Sequence, residues 1–284
     1  MNKLNSVAAV ALLAFTFVSC TKDDAEPDIV VPVSDGSTIT LNGIAAAETG
    51  SSAVNSIYVD FSEDKQTSAL RSSWTLGFYA GADFKVALNA NNGVSATVVN
   101  KTDLNAVTSA DLVQANLVVT LGSPVATEFA KVDDPRENNV LAKPAIAAVS
   151  ATDSENKVYL INPVGGSHSA VFSADNVFKI RVLRKGTGYT LQYAKLSATT
   201  FSTLDISKDS KFNFAFVSLS EGKAVSVEPQ KANWDIMWTW SLYYGGVAPS
   251  QYLYGFSDLV FTNVLGGATT TEVLTTTKAY ADFA

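Results

Sequence analysis

The sequence predicts an all-β protein built from two related antiparallel, sandwich-like β domains, and three observations predict it. Apolar residues fall on alternate positions, as in Phe212, Phe214 and Phe216, and again in Trp234, Ile236, Trp238, Trp240 and Leu242. A period of two places such residues on one face of a strand. Short polar segments with glycine, such as Ser220-Glu221-Gly222-Lys223, stand between these runs where hairpin turns would be. The pattern also occurs twice. Ile57-Tyr-Val-Asp-Phe-Ser-Glu-Asp-Lys65 reads like Ala215-Phe-Val-Ser-Leu-Ser-Glu-Gly-Lys223, and Ser73-Trp74-Thr75-Leu76-Gly77-Phe78 like Asn233-Trp234-Asp235-Ile236-Met237-Trp238. A separation of about 160 residues is too long for a solenoid repeat and suits a duplicated domain.

From the N-terminus, Met1-Asn2-Lys3 supplies a positive start and Val7 to Val18 an apolar run of signal-peptide length, too short to span a bilayer. It ends at Phe17-Val18-Ser19-Cys20. Small residues before a lone cysteine resemble a lipobox, with Phe17 where leucine is usual; the plainer alternative is an ordinary buried cysteine. Residues 1–19 are therefore expected to be a lipoprotein signal peptide and Cys20 the lipidated first residue of the mature chain. Thr21-Lys22-Asp23-Asp24 resembles an acidic address for the outer face of an outer membrane, or a solvated linker. Residues 20–53, with Asp23, Asp24, Glu26, Pro27, Asp28, Pro32 and Asp35, read as an acidic tether and lead-in, Thr38 to Leu41 beginning an edge strand.

The first domain is placed at 54–197. Ile57, Val59 and Phe61 alternate in one strand, Trp74, Leu76 and Phe78 in the next, and Phe84, Val86 and Leu88 in a third. Asn91-Asn92-Gly93 marks a turn, and Thr108-Ser109-Ala110-Asp111 has the pattern of a capping box opening one short helix. Residues 122–145 read as a long loop, and Ile146–Val149 and Val158–Ile161 as strands. Phe178, Ile180 and Val182, then a turn at Lys185-Gly186-Thr187-Gly188, then Tyr189, Leu191 and Tyr193 make a closing hairpin. The second domain, 203–284, opens with a three-stranded meander over 212–242 whose tryptophans 234, 238 and 240 share one buried face. It continues with strands at Val260–Leu265 and Glu272–Leu274, and has no closing hairpin of its own, as if abbreviated or truncated.

Composition removes several classes of function. A net charge of −7, with no Lys/Arg cluster able to neutralise a run of phosphates, argues against nucleic acid. With 47% hydrophobic and 17% charged residues, disorder is not the default. One cysteine forms no intrachain disulfide, and one histidine no multi-histidine metal cage. Neither a G-x-S-x-G elbow, nor a P-loop, nor G-x-G-x-x-G after a strand is present. The expectation is a protein that is not an enzyme.

Phe-x-Ser-Leu-Ser-Glu-Gly-Lys at 216–223 and Asn233-Trp234-Asp235-Ile236-Met237-Trp238 resemble the opening of HmuY-type haem-binding surface lipoproteins, and the hairpin at 177–196 resembles that family's C-terminal hairpin. The resemblance covers roughly residues 54–284. It implies a non-catalytic, surface-exposed, outer-membrane lipoprotein that acquires haem, taking it free or from a haem-carrying host protein and meeting a TonB-dependent outer-membrane receptor. On the resemblance, His168 in Gly165-Gly166-Ser167-His168-Ser169 falls close to one of the family's two axial histidines; nothing matches the other. Met237 is the remaining soft donor for haem iron. Lys179, Arg181, Arg184 and Lys185 would either face haem propionates or form the solvated face of a hairpin. The alternative is a structural or adhesive β module for host protein or glycan, its haem site lost, with Tyr243, Tyr244, Tyr252 and Tyr254 as its aromatics.

Overall fold

The computed structural model describes residues 39–41, 53–167, 171–279 and 282. The expected signal peptide, Cys20 and His168 lie outside the described residues, as does most of 20–53. The described residues up to 272 form one compact unit, and those from 273 onward fall outside it.

The protein is all-β. Thirteen strands are described: β1 (Asn55–Asp60), β2 (Lys65–Leu70), β3 (Leu76–Tyr79), β4 (Val86–Leu88), β5 (Ser95–Val99), β6 (Val158–Asn162), β7 (Phe178–Lys185), β8 (Gly188–Lys195), β9 (Ser202–Ile206), β10 (Phe214–Ser218), β11 (Lys223–Val225), β12 (Ile236–Gly245) and β13 (Tyr252–Thr262). They make three antiparallel sheets, ordered β13-β12-β1-β2, β11-β10-β3-β4 and β5-β6-β7-β8-β9.

The two copies of the repeated motif do not fold side by side; they exchange strands. β1 of the first copy pairs with β12 of the second, and β10 of the second with β3 of the first. The registers match position for position. Val59 stands opposite Ile236 as Val217 stands opposite Leu76, and Ile57 opposite Trp238 as Ala215 opposite Phe78. The hydrogen bonds that lead into the pairings match too, Asp235 N to Val59 O at 2.7 Å and Thr75 N to Val217 O at 2.8 Å. Each outer strand then ends on an asparagine whose Nδ2 ties back to its own copy's tryptophan. Asn89 Nδ2 donates to the carbonyls of Arg71 and Trp74, and Asn263 Nδ2 to those of Lys231 and Trp234. A 3-10 turn follows each asparagine, closed by left-handed Gly93 (φ 68°) or Gly267 (φ 98°), a conformation that glycine adopts without steric cost.

This exchange corrects three expectations. The boundary between 54–197 and 203–284 is not a spatial one: both segments contribute to the first two sheets, and β9 pairs with β8 across it. The 212–242 stretch is not a meander, because β12 leaves the β10–β11 hairpin to join β1. Its tryptophans do not share a face either. Trp234 and Trp240 belong to different buried clusters, and Trp238 is half-buried. A register shift between Thr239 and Ser241 breaks the alternation, as a bulge does.

Three smaller expectations also change. The capping box at Thr108 is formed, with Thr108 N donating to Asp111 Oδ2 at 2.8 Å, but it opens only one 3-10 turn, Ser109–Asp111. Residues 146–149 form no strand: Pro144 precedes them, and neighbouring N–H groups go elsewhere, Ala145 to Asp133, Ala147 to the Tyr159 hydroxyl and Val149 to Phe84 O. Residues 272–274 form none, and Leu274 is 62% exposed.

The largest core lies between the second and third sheets. Leu76, Phe78 and Val217 pack there against Ile161, Ile180 and Leu191. A fully buried side chain of this size contributes about 1.5–3 kcal/mol relative to leaving it exposed. A smaller aromatic cluster, Tyr58, Trp74, Phe216, Val227 and Trp234, lies between the first and second sheets.

Candidate functional site

That aromatic cluster opens into a cavity of about 440 Å³. The first sheet lines it with Tyr58 of β1, Met237 of β12 and Phe261 of β13, and the second with Gly77 of β3 and Phe214 and Phe216 of β10. Trp74 and Trp234 both line it, and residues of the 133–140 loop complete the wall. The repeat explains the geometry. Tyr58 meets Trp234 edge-to-face with centroids 5.0 Å apart, and Phe216, the residue matching Tyr58, meets Trp74 in the same way at 4.7 Å. Such pairs add about 0.5–1.5 kcal/mol beyond area burial.

Symmetry fails at one lining position. Gly77 stands opposite Phe216, where the other sheet puts Met237 opposite Tyr58. A Cβ at Gly77 would lie 3.3 Å from Phe214 and 3.4 Å from Phe216, so the absent side chain leaves room for those rings. Met237 is half-buried, and Asn91 Nδ2 donates weakly to its sulfur at 3.6 Å.

Three of the lining carboxylates, Asp133, Asp134 and Glu228, are buried, and the first and last are held mainly by backbone N–H groups. Asp133 accepts from Leu88 N at 2.6 Å and Ala145 N at 2.9 Å, and burial pushes its carboxyl up to about 7 against those two bonds. Glu228 Oε1 accepts from Asn213 N and Phe214 N, and burial pushes this carboxyl up to about 7 as well. Desolvation disfavours the charged form of each. Asp134 is the opposite case: burial acts against it, but its bonds to Arg136 and Lys143 outweigh that and hold it down at about 2. Burial raises the Tyr58 phenol, with the Glu228 charge adding to the effect. The Trp234 indole N–H is buried and has no hydrogen-bond partner among the described residues. A buried, unmatched donor costs about 1–3 kcal/mol.

Of the site residues expected from sequence, Met237 lines this cavity, while Cys20 and His168 lie outside the described residues. Each member of the basic cluster bonds to its own chain, and Arg184 and Lys185 lie exposed on the hairpin. Lys179 is fully buried, with Nζ donating to Val107 O and Ala198 O at 2.9 Å each. Arg181 bonds Asn156 O, Arg184 bonds Val149 O, and Lys185 pairs with Asp205. Among the four tyrosines, Tyr243 and Tyr254 face each other across the β12–β13 ladder. Tyr252, Tyr254 and Phe256 turn edges to faces, at interplanar angles of 83° and 66°. Tyr243 and Tyr244 lie closer to parallel, 4.7 Å apart at 30°, and Tyr254 is 42% exposed. The lining acids Asp133 and Glu228 were not anticipated. Asp133 sits in the long 122–145 loop, whose length was the available signal, since loops of that size are uncommon in compact domains and often functional.

Among the described residues no three His, Cys, Asp or Glu side chains come together as a metal site would need, and no helix is long and apolar enough to cross a membrane. Comparison with protein-family models, curated proteins and solved structures found no match.

Proposed function

We propose that the protein is a non-catalytic binding protein, tethered to a membrane through acylated Cys20, and that the cavity between the exchanged sheets is its ligand site. One observation carries this reading: the two edge-to-face aromatic pairs line a half-open cleft of about 440 Å³. Clefts of roughly 300–1,000 Å³ lined by aromatic side chains and a few polar groups are the usual form of a small-molecule site. The carboxyls of Asp133 and Glu228 are occupied by backbone N–H groups and that of Asp134 by Arg136 and Lys143, a structural use that suits binding better than acid–base work.

Haem is the ligand that the resemblance alone carries, and the lining fits it poorly. Met237 is the one thioether in the wall, but among the described residues no lysine, arginine or histidine lines the cavity, and four carboxylates do. Two haem propionates would find no cation in that wall to pair with. Nothing in the geometry favours the adhesive alternative over a small ligand.

The test is titration with a neutral solvatochromic dye such as Nile red. Wild type should give saturable enhancement, and Gly77→Leu, which fills the cavity, should lose it while keeping the β-type circular dichroism. Absence of saturable binding by folded wild type would remove the site. A parallel haem titration of wild type, His168→Ala and Met237→Leu reads the resemblance separately: a Soret band lost in either variant would place haem on that residue. For the anchor, Cys20→Ala should release the protein from the membrane pellet; equal recovery there would refute it.

A further inference from the structure

We propose that the cavity selects a small organic cation, such as a quaternary ammonium or a protonated amine, over neutral and anionic molecules of the same shape. This rests on the binding reading above and names the ligand class for that site.

Three features converge on it. The walls are ring faces and edges from both copies of the repeat, with Tyr58, Trp74, Phe216 and Trp234 at the centre. Aromatic faces carry negative quadrupole density and attract a cation within about 6 Å of the ring centroid, tryptophan most strongly. The lining carboxyls are Asp133, Asp134, Glu137 and Glu228: Asp134 is paired with Arg136 and Lys143, burial keeps Asp133 and Glu228 partly protonated near neutral pH, and the charge that remains is negative. The cations closest in sequence, Arg136 and Lys143, neutralise Asp134 and do not themselves line the cavity, and Arg136 also lies 3.8 Å over the Phe129 ring. An acid-lined cleft with low-dielectric walls concentrates cations and repels anions.

The third feature is that the backbone N–H groups beside the two backbone-bound lining acids are already taken. Asp133 and Glu228 already take the backbone N–H groups of Leu88, Ala145, Asn213 and Phe214. Asn213 Nδ2 is likewise committed to Asn263 Oδ1 at 2.8 Å. The indole N–H of Trp234 is the one buried donor without a partner among the described residues. A quaternary ammonium needs no acceptor or donor, only faces and charge.

The experiment uses the folded chain and three probes of one shape: choline, its neutral carbon isostere 3,3-dimethylbutan-1-ol, and the anion 3,3-dimethylbutanoate. Trp74 and Trp234 line the site, so intrinsic fluorescence reports occupancy. Choline should bind at least about tenfold more tightly than the alcohol, as a desolvated cation–π contact implies, and the anion should not bind. Raising the salt should weaken choline and leave the alcohol unchanged. Phe216→Leu, which keeps apolar volume but removes a ring, should narrow the gap between choline and the alcohol. The ratio in wild type decides the question even if that variant fails to fold. Equal or tighter binding of the alcohol or the anion, or no binding of choline at about 10 mM, overturns the inference. Nile red binding would still stand in the first case, which separates failure of the ligand class from failure of the site.

Discussion

Gly77 and Met237 occupy the same register position in the two exchanged sheets, opposite Phe216 and Tyr58 respectively, and only one of them brings a side chain to the cavity. The repeat builds a near-symmetric aromatic chamber, and this pair makes it lopsided.

Changing the two residues should therefore have opposite effects on capacity. Gly77→Leu adds volume where even a Cβ already touches Phe214 and Phe216, and overpacking of that kind costs about 1–3 kcal/mol. Met237→Ala enlarges the chamber and, for a half-buried side chain, should cost about 2 kcal/mol, the low end for a buried methionine. Urea unfolding gives the costs, and dye titration should show binding lost in the first variant and kept in the second. Binding retained in a folded Gly77→Leu protein would mean that the dye sits elsewhere.

The equivalence of the two tryptophans makes a second expectation. Trp74→Ala and Trp234→Ala should each cost about 3–5 kcal/mol, because each removes a 9%-exposed indole from an edge-to-face pair. Both rings belong to one cluster, so the double variant should depart from additivity by about 0.5 kcal/mol or more. Strict additivity in denaturant unfolding would show that the two pairs do not share a core.

The asparagines break the symmetry in a way that stability should report. Asn263 Oδ1 accepts from Asn213 Nδ2 at 2.8 Å and Gly266 N at 2.9 Å, whereas Asn89 Oδ1 is buried with no partner among the described residues. Their Nδ2 groups do the same work. Asn263→Ala should therefore destabilise more than Asn89→Ala, by about 1–3 kcal/mol for the extra donors it strands. Equal losses would show that the Asn213 contact contributes nothing.

The strands were legible in the sequence because alternation is local: Ile57 to Val59, Phe214 to Phe216 and Phe178 to Val182 each carry their own period. The repeat was legible too, as a pattern. Its partner choice was not. Whether β12 pairs with β11 or with β1 depends on contacts about 180 residues apart, Tyr58 with Met237 among them, and no local period encodes that. The matching asparagines were hidden for a related reason. Asn89 lies 15 residues after Trp74 and Asn263 lies 29 after Trp234, so a fixed-offset comparison passes over them. The cavity inherits both gaps: its rings come from recognisable strands, and their meeting comes from the exchange.

Stability should fall as pH rises from 5 to 8, and Glu228 carries part of that fall. Burial lifts its carboxyl from an ordinary 4.5 to about 7 in the folded chain. Between those values the folded protein holds a proton that the unfolded chain has released, so unfolding becomes easier as pH climbs and levels off above the folded value. Asp133, lifted from 3.8 to about 7 mainly by burial, acts in the same direction. Asp134, held at about 2, acts in the opposite direction but only below the ordinary carboxylate range. Because Glu228 Oε1 alone accepts both backbone N–H groups, an amide oxygen at that place can keep them. Glu228→Gln should therefore fold normally and show a shallower decline in Tm between pH 5 and 8 than wild type at constant ionic strength. The difference between the two curves isolates this carboxyl from every other titrating group. A variant curve parallel to wild type would mean that Glu228 titrates in the folded protein as it does in the unfolded chain.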